Sequence, residues 1–588
     1  MLGKAEIAGA LREIGALLEL DGENPFKVRA YENGARALEA LHEDLATVLA
    51  EGRLEEVPGI GRALAEKITE LHRAGRLPLL ERLRAAHPPA LLELLALPDL
   101  GPKKLAALQK ALGIRSVAEL EAACAAGKVR ELKGFGEKTE QKLLDAIRRR
   151  RERPRRFLLS EASAIGERIV AHLRGSPAVI QCEVAGSTRR GRETVGDLDV
   201  VVASQQPGAV SAHFLALPGI GETLAHGETK TSVRLANGLQ VDLRIVPPAD
   251  FATLLHHLTG SKAHHVKLRG LARERGLTLS EWGLFELPRG PAPASAEEGP
   301  PAHGAKVLVR SEPELYRALG LAPIPPELRE DEGEIEAARD GTLPDDLVRL
   351  EDVRGMVHCH TTWSDGHVGV EELARAAEAA GFEYLTVTDH SGAAAYAGGL
   401  DAERLRRQWD EIDEVQQRVG IRLLKGTEAD ILEDGALDWP DALLEGLDVV
   451  IASIHSRMKM AEDEMTRRLV RAMSLPIFKI WGHASGRLLG ERDPYAVRME
   501  EVLDALAASR GAIEVNGDPH RLDMEPRWLR RARARGIPFV LTTDAHRLEA
   551  LGQLRWAVVT ARRGWVTKGE VLNALPAGEF ARAVKPAG

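Results

Sequence analysis

Three hydrophobic patterns succeed one another along the 588-residue chain. In the first, apolar residues recur at helical spacing behind short glycine turns: VPGIGRALAEKI from Val57, LPDLGPKKLAAL from Leu97 and LKGFGEKTEQKL from Leu132. Each predicts a helical hairpin. In the second, apolar strands are interrupted by single acids. GSTRRGRETVGDLDVVV, from Gly186, sets Asp197 and Asp199 before an apolar run, and QVDLRIVP sets Asp242 among Val241, Leu243, Ile245 and Val246. The turn at Asn237 predicts an antiparallel hairpin between that strand and the preceding SVRL. LPGIGETLAH, from Leu217, resembles the glycine turns but runs straight into SVRL, so it reads as a link between strands. The third pattern begins at Met356, where seven apolar runs alternate with amphipathic helical stretches: MVHCH, YLTVTDH, LLKGTEAD, VVIASIH, FKIWGH, GAIEVN and FVLTTDAH. Such alternation predicts a parallel sheet, and chemistry-bearing residues at the carboxyl ends of its strands predict a closed β/α barrel. Between the second and third patterns, APIPPELREDEGEIEAARDGTLPDDL is acidic, Pro-bearing and poor in large apolar residues, which predicts a linker holding one helix.

Composition bounds the class. The length requires several cores rather than one. A hydrophobic content of 44% with 28% charged residues is that of an ordinary soluble protein. No apolar run approaches the roughly 18–20 residues of a membrane span, and the charged start MLGKAEIAGALREIG predicts no signal peptide. Cys124, Cys182 and Cys359 lie far apart without zinc-type spacing, so a reducing cytoplasm is the expected compartment. The net charge of −9 argues mildly against a nucleic-acid partner, but charge is local. Residues 101–156 carry 16 Lys+Arg against 7 Asp+Glu and close on RRRRERPRR. That basic stretch adjoins the glycine turns, and phosphate suits both.

In the turns, Gly59 and Gly61, Gly101, and Gly134 and Gly136 allow close backbone approach, and the amides opening each following helix face outward as an anion site. A single copy reads equally well as an ordinary helical hairpin. Three copies roughly 35–40 residues apart match a ligand whose phosphates themselves repeat. They resemble helix-hairpin-helix motifs, which implies a sequence-independent grip on the DNA backbone with a bound monovalent cation. Asp99 and Pro102 depart from the pattern in the second copy.

Positions two apart on a strand share a face, so Asp197 and Asp199 stand side by side where a core strand would carry valine. If the hairpin strand is a neighbour, Asp242 joins them. Oxygen-only ligands suit Mg²⁺ or Mn²⁺ carrying a nucleotide's phosphates, and two such ions can activate an attacking hydroxyl and steady a leaving pyrophosphate. The Gly186-Ser187 turn offers amides and a hydroxyl to phosphate, and Arg190 offers charge.

Over roughly residues 1–320 the sequence resembles the family X DNA polymerases, the DNA polymerase beta-like repair enzymes. The resemblance implies that Asp197, Asp199 and Asp242 are the catalytic metal ligands of the palm. It implies that Gly186, Ser187, Arg190 and Gly196 contact the incoming triphosphate. LTGSKAHHVKLR, from Leu258, is similar to the family's Thr-Gly-Ser turn and thumb helix, with Thr259 and Gly260 near the sugar and Arg269 near the template. Two departures from the family stand out. His257-Leu258 replace its usual Tyr-Phe, and His265 stands where a base-reading Asn is common, which bears on sugar discrimination and fidelity. Lys67 matches the family lysine that forms a Schiff base with an abasic sugar, Lys27 and Tyr31 fit the same domain, and Ala63 replaces a common supporting lysine. A 5′-deoxyribose phosphate lyase role for Lys67, which requires a free amine, and a plain phosphate contact both stay open.

The strand ends of the third pattern carry His358 and His360 on one face, then Asp365 in TTWSDG, then His390, Glu428, His455 and His483 singly, and Asp544 with His546 as a second same-face pair. Cys359 points away from them, into the core. Nine N/O ligands without sulfur suit Mn²⁺, Zn²⁺ or Fe²⁺, and nine is about right for three bridged ions. Such clusters activate water and clamp phosphate oxygens, the chemistry of phosphoester hydrolysis. Residues 350–575 resemble a PHP (polymerase and histidinol phosphatase) domain with its nine usual positions filled, Asp365 standing where some relatives use His. Asp389 and Asn516 are placed to orient ligands. The whole resembles the bacterial and archaeal PolX family, in which the PHP domain is associated with 3′–5′ exonuclease and related 3′-end or abasic-site cleavage.

The expected organisation is multidomain: a helical lyase-like domain over 1–85, helix-hairpin-helix fingers over 86–156, an α+β nucleotidyltransferase palm over 157–248, a thumb over 249–320, a linker over 321–349 and a distorted (β/α)7 PHP barrel over 350–588. The expected activity is template-directed gap filling from dNTPs on gapped or nicked DNA, with metal-dependent 3′-end trimming, by a monomer without membrane contact. Two other readings compete. A small-substrate nucleotidyltransferase fused to a histidinol-phosphatase-like phosphoesterase would have no need of an extended backbone grip. A DNA-end-binding nuclease with a decayed polymerase site is favoured by His257 and His265 and opposed by the three aspartates.

Overall fold

The computed structural model describes residues 4–20, 23–39, 45–50, 52–57, 59–74, 77–86, 94, 100, 102–132, 134–152, 156–287 and 304–586. They form two compact units, Met1–Pro154 and Arg155–Gly588.

The first unit is helical, with two apolar cores. Ile7, Leu11, Ile14 and Leu18 make the i, i+4, i+7 stripe that turns its opening helix, Lys4–Leu20, onto one of them. The other gathers Leu105, Leu108, Leu120, Leu143 and Ile147. Two of the glycine turns share one geometry. Gly59 and Gly134 have φ of +96° and +92°, a conformation that glycine adopts without steric cost. The next residues, Ile60 and Phe135, are 2% and 6% exposed, and their amides donate to the carbonyls of Val57 and Leu132 at 3.0 and 2.9 Å. Helices Arg62–Ala74 and Glu137–Glu152 begin directly after Gly61 and Gly136. A Cβ added at Gly61, Gly134 or Gly136 would meet nothing within 4 Å, so a ligand backbone has room to approach there. Gly101 lies outside the described residues.

The second unit opens on a five-stranded sheet: β1 (Gln181–Val184), β2 (Asp197–Ala203), β3 (Ile220–His226), β4 (Lys230–Leu235) and β5 (Gln240–Val246), in spatial order β1-β2-β5-β4-β3. β4 and β5 form the expected hairpin, and β5 lies parallel to β2. The segment expected to link strands is itself the edge strand β3. Most of its side chains are exposed, so it lacks the apolar alternation by which a half-buried strand is recognised. A second, three-stranded sheet follows: β6 (Leu277–Ser280), β7 (Gly283–Glu286) and β8 (Lys306–Val307).

Residues 321–349 do contain one α-helix, Glu334–Asp340, and a short 3₁₀ turn at Pro326–Leu328, but they are packed and do not form a free linker. Leu321, Ile324, Leu328, Ile335 and Leu347 share a core with Leu268, Leu279 and Leu284. Arg329 is only 2% exposed; its Nη1 donates to Glu312 at 2.6 Å and its Nε and Nη2 donate to the Ile324 carbonyl. The acidic composition hid this because part of the charge is buried in pairs. Burial works to raise the Glu312 carboxyl, but the hydrogen bond from Arg189 and the charge of Arg329 hold it down at about 2. A depressed carboxyl stabilises the fold above its ordinary value, and that contribution disappears as pH falls from near 4.5 towards 2. Glu312→Gln is expected to cost about 3 kcal/mol at pH 7, and to flatten the loss of Tm across that acid window in calorimetry. An unchanged acid profile would contradict this role for the pair.

The barrel follows: β9 (Gly355–Cys359), β10 (Tyr384–Val387), β11 (Arg422–Asp430), β12 (Val449–Ser453), β13 (Lys479–Trp481), β14 (Gly511–Asn516) and β15 (Phe539–Thr542), all parallel and in chain order. Ala545, just past β15, donates to the His358 carbonyl at 3.0 Å and accepts from the His360 amide at 2.8 Å, which closes the ring. The first sheet's segment is tied to this barrel. Leu159 packs with Leu522 and Trp556, Arg563 pairs with Glu193 at 3.0 Å, and a Cβ at Gly191 would fall 2.2 Å from Val559. Among the described residues no helix is long and apolar enough to cross a membrane, and all three cysteines are buried and unpaired.

Candidate active sites

Strand register brings the first acids together. Asp199 on β2 stands opposite Asp242 on β5, with Asp197 two residues earlier on the same face. Burial, then the charges of Asp197 and Asp242, push the Asp199 carboxyl up to about 7. Asp242 accepts hydrogen bonds from Ser232 Oγ and, at 3.0 Å, from Gln240 Nε2. Crowded like charges of this kind are relieved by a divalent cation, and the all-oxygen donor set fits one. Gly186, at φ +65°, lies against them, and a Cβ there would fall 2.5 Å from Asp199 Oδ2. Ser187 follows in the short helix Gly186–Arg189.

Arg190 is engaged. Its Nε donates to Glu330 at 2.9 Å and its Nη1 to the Thr259 carbonyl, while Arg189 Nη1 donates to Thr259 Oγ1 at 2.9 Å. A Cβ at Gly260 would lie 3.2 Å from Arg190 Nη1, so Arg190, Thr259 and Gly260 meet at one place. Gly196 lies by Arg156, and Arg269 is exposed on the helix Lys262–Glu274. His265 is not displayed beside it. It is 6% exposed, packed against His256 and His257 at centroid distances of 4.9 and 4.7 Å, with neither ring nitrogen hydrogen-bonded. In the helical unit, Lys67 Nζ donates to the Ala63 carbonyl of its own helix at 2.8 Å.

At the barrel mouth the nine residues form one cluster, in which five imidazoles lie against Glu428. Its Oε1 is 3.3 Å from His358 Nε2, 3.3 Å from His455 Nε2 and 3.0 Å from His483 Nε2; its Oε2 is 3.5 Å from His360 Nε2 and 2.9 Å from His390 Nδ1. Asp544 Oδ1 lies 3.4 and 3.2 Å from the Nε2 atoms of His358 and His360. Asp365 lies 3.6 Å from His390 Nε2 and 3.2 Å from His546 Nε2. Despite these separations, His358 Nε2, both His360 nitrogens, His390 Nδ1 and Glu428 Oε2 are buried without a hydrogen-bond partner. Buried polar atoms are nearly always paired, so lone pairs gathered without hydrogens between them fit cations, and the imidazole–carboxylate mixture fits transition metals. Burial, His546 and His390 push His360 down to about 3, whereas Glu428 and Asp365 overcome burial to raise His390 to about 11. Protons and cations therefore compete for the cluster.

Simple strand alternation does not build this site. The pairing of β9 with β10 shifts register between Met356 and Cys359, and His360, Asp544 and His546 lie beyond the strand ends. His358, His483 and Asp544 take φ of +64°, +25° and +53°. Non-glycine residues hold such conformations only where the surroundings impose them, as at functional sites.

Four family descriptions match the chain: a helix-hairpin-helix domain over residues 3–77, a SAM-like helix-hairpin-helix tandem over 91–149, a DNA polymerase beta thumb over 254–330 and a PHP domain over 357–518. The protein named DNA polymerase/3′-5′ exonuclease PolX from Bacillus subtilis (strain 168) is 38% identical over 574 residues, 97% of each chain. The chain belongs to the PolX family. Rat DNA polymerase lambda is 24% identical over 317 residues, 50% of this PolX chain and 51% of its own. A "probable phosphatase" of Thermoanaerobacter sp. (strain X514) is 29% identical over 236 residues, 37% of this chain and 88% of its own.

Sequence reasoning missed several residues of this PolX chain. Glu514, fully buried, accepts from the His358 ring, the His483 amide and Thr542 Oγ1, and so fixes how two of the imidazoles stand. It is an acid inside an apolar strand, the same signal that exposed Asp242. Asp430 accepts from His455 Nδ1 at 3.1 Å. Asp389, expected to orient ligands, instead ties down the loop before Asp365, accepting from Thr361, Ser364 and Gln408. Asn516 acts through Glu514, at 3.3 Å. Arg521 Nε lies 3.6 Å from Asp544, its Nε and Nη1 have no hydrogen-bond partner, and no local pattern announces it.

Proposed function

We propose that this PolX chain is a DNA repair polymerase that fills gaps at the palm and trims 3′ ends in the barrel. The observation that carries the reading is the presence in one chain of two chemically different centres: the Asp199–Asp242 register pair with Asp197, and the nine-residue cluster around Glu428. The open glycine turns support DNA as the substrate, because amides at helix starts hold phosphate without reading bases. The enzyme works as a monomer, in a reducing cytoplasm that suits its three unpaired thiols.

At the palm, Asp197, Asp199 and Asp242 would hold Mg²⁺ or Mn²⁺. Such ions favour attack by the primer 3′-hydroxyl and steady the pyrophosphate that leaves. Gly186 and Ser187 meet the dNTP triphosphate, and Arg190 exchanges Glu330 for a phosphate oxygen. The new bond joins the primer 3′-oxygen to the α-phosphorus as the α–β bridge breaks. At the barrel, the nine residues would hold three ions of the Mn²⁺, Zn²⁺ or Fe²⁺ kind, which supply Lewis acidity and activate water. Arg521 donates to a non-bridging oxygen; a water oxygen joins the phosphorus as its bond to the penultimate 3′-oxygen breaks, that oxygen takes up a proton from the water, and a nucleoside 5′-monophosphate departs.

The test is a one-nucleotide-gapped duplex labelled at the primer's 5′ end, with Mn²⁺. Single dNTPs should extend the primer according to the templating base, and omitting dNTPs should shorten it from the 3′ end. An untouched primer together with phosphate release from small esters would favour the small-substrate reading. Gly186→Ala forces a Cβ against Asp199 on a left-handed backbone. It is expected to cut extension at least about a hundredfold, because misplaced catalytic groups lose that much. Trimming by the same variant should persist.

A further inference from the structure

Tyr396 is used by neither centre, yet it stands at the barrel mouth. It is 64% exposed, in the one-turn helix Ala395–Ala397 of the loop after β10. Its ring lies 6.2 Å from that of His390 and 6.3 Å from that of His455, tilted against both. A lone exposed aromatic normally requires no explanation. This one is set apart by its place beside the cluster and by the stiffness of its support. Arg404 Nη1 donates to the carbonyls of Gly398 and Gly399 at 2.7 and 3.2 Å, and the Leu400 amide donates to the His390 carbonyl at 2.8 Å. A Cβ at Gly399 would fall 2.0 Å from the Ser391 carbonyl oxygen, so the loop is closely packed on itself. A rigid aromatic beside a phosphodiester site is what an unpaired base stacks on, whatever its identity.

We infer that Tyr396 is the platform on which the base of the 3′-terminal nucleotide stacks while its phosphodiester lies at the Glu428 cluster. This rests on the barrel being the 3′–5′ exonuclease. The base is then held by its π face, so trimming tolerates all four bases but discriminates against a terminus that has none.

The test compares two 5′-labelled single-stranded oligonucleotides, one ending in 3′-thymidine and one in a 3′-tetrahydrofuran abasic residue. Wild type is expected to remove thymidine with about tenfold higher kcat/KM, equal to about 1.4 kcal/mol, with the difference carried by KM. Tyr396→Ala should bring the ratio close to one, and Tyr396→Phe should keep it. Retained primer extension shows that each variant is folded. A ratio unchanged in Tyr396→Ala overturns the platform, and a Tyr396→Phe that behaves like Ala overturns it in favour of a hydroxyl role. If wild type degrades neither oligonucleotide, the exonuclease reading falls and the inference with it.

Discussion

Asp199→Ala is expected to reduce primer extension about a thousandfold or more while leaving 3′ trimming in place. Asp199 is the inner member of the register pair, flanked by Asp197 along β2 and faced by Asp242 across to β5. Its removal takes away a ligand and part of the charge that two cations would balance; losing even one hydrogen-bond donor to a developing charge costs about 10²–10³ in rate, and losing a ligand of the ions themselves costs more. The substitution should not harm the fold. Asp199 has its carboxyl pushed up to about 7 by burial and the other two acids. A group whose folded pKa exceeds its unfolded value of 3.8 binds more protons when folded, so its ionisation costs stability as pH rises to about 7. Without divalent cations, Asp199→Asn should therefore raise Tm above pH 7, with the gain vanishing below about pH 4. Calorimetry across that range checks the sign, and activity lost for stability gained marks a functional group.

Glu428→Gln is the mirror experiment. One carboxylate lies within 3.5 Å of five imidazoles, so the neutral amide removes the charge that all five face. Exonuclease activity is expected to fall by well over a hundredfold, since residues that merely support metal ligands cost about 10–100-fold. Bound transition metal per chain, measured by elemental analysis, should fall in parallel. Primer extension should survive, because the palm acids share no residue with the cluster. Extension that fell with trimming would mean that the barrel holds up the palm, as the contacts of Arg563 with Glu193 and of Trp556 with Leu159 permit.

The barrel was the most legible part of the sequence. Its strands are short apolar runs of fixed order, and a histidine at the end of such a run stands out against a core that prefers Val and Ile. The acids of the palm were legible for the same reason, but the hairpin turn at Asn237 fixed only the pairing of β5 with β4; the parallel pairing of β5 with β2, which sets Asp242 opposite Asp199, is a long-range contact that no local pattern announces. Buried charge pairs were not. Arg329 with Glu312, and Arg190 with Glu330, look in sequence like any solvated acidic stretch, because their burial depends on partners 17 and 140 residues away. Glu514 was readable in principle, as an acid interrupting GAIEVN. Arg521 and Tyr396 were not, since an arginine or tyrosine in a polar loop is ordinary until the fold sets it beside a cluster. The left-handed backbone at His358, His483 and Asp544 is equally silent, because nothing in a β-run marks a histidine for positive φ.

The most direct measurement of two separate centres serving one DNA end uses a gapped duplex whose primer carries a mismatched 3′ nucleotide, labelled at its 5′ end, with Mn²⁺ and all four dNTPs. Wild type should shorten the primer and then extend it to fill the gap. Asp199→Ala should stop at shortened products, Glu428→Gln should fail to remove the mismatch while still extending a matched primer, and mixing the two variants should restore the filled product. If either substitution abolished both trimming and extension, or if the mixture failed where wild type succeeds, two independently acting sites would be the wrong account of this chain.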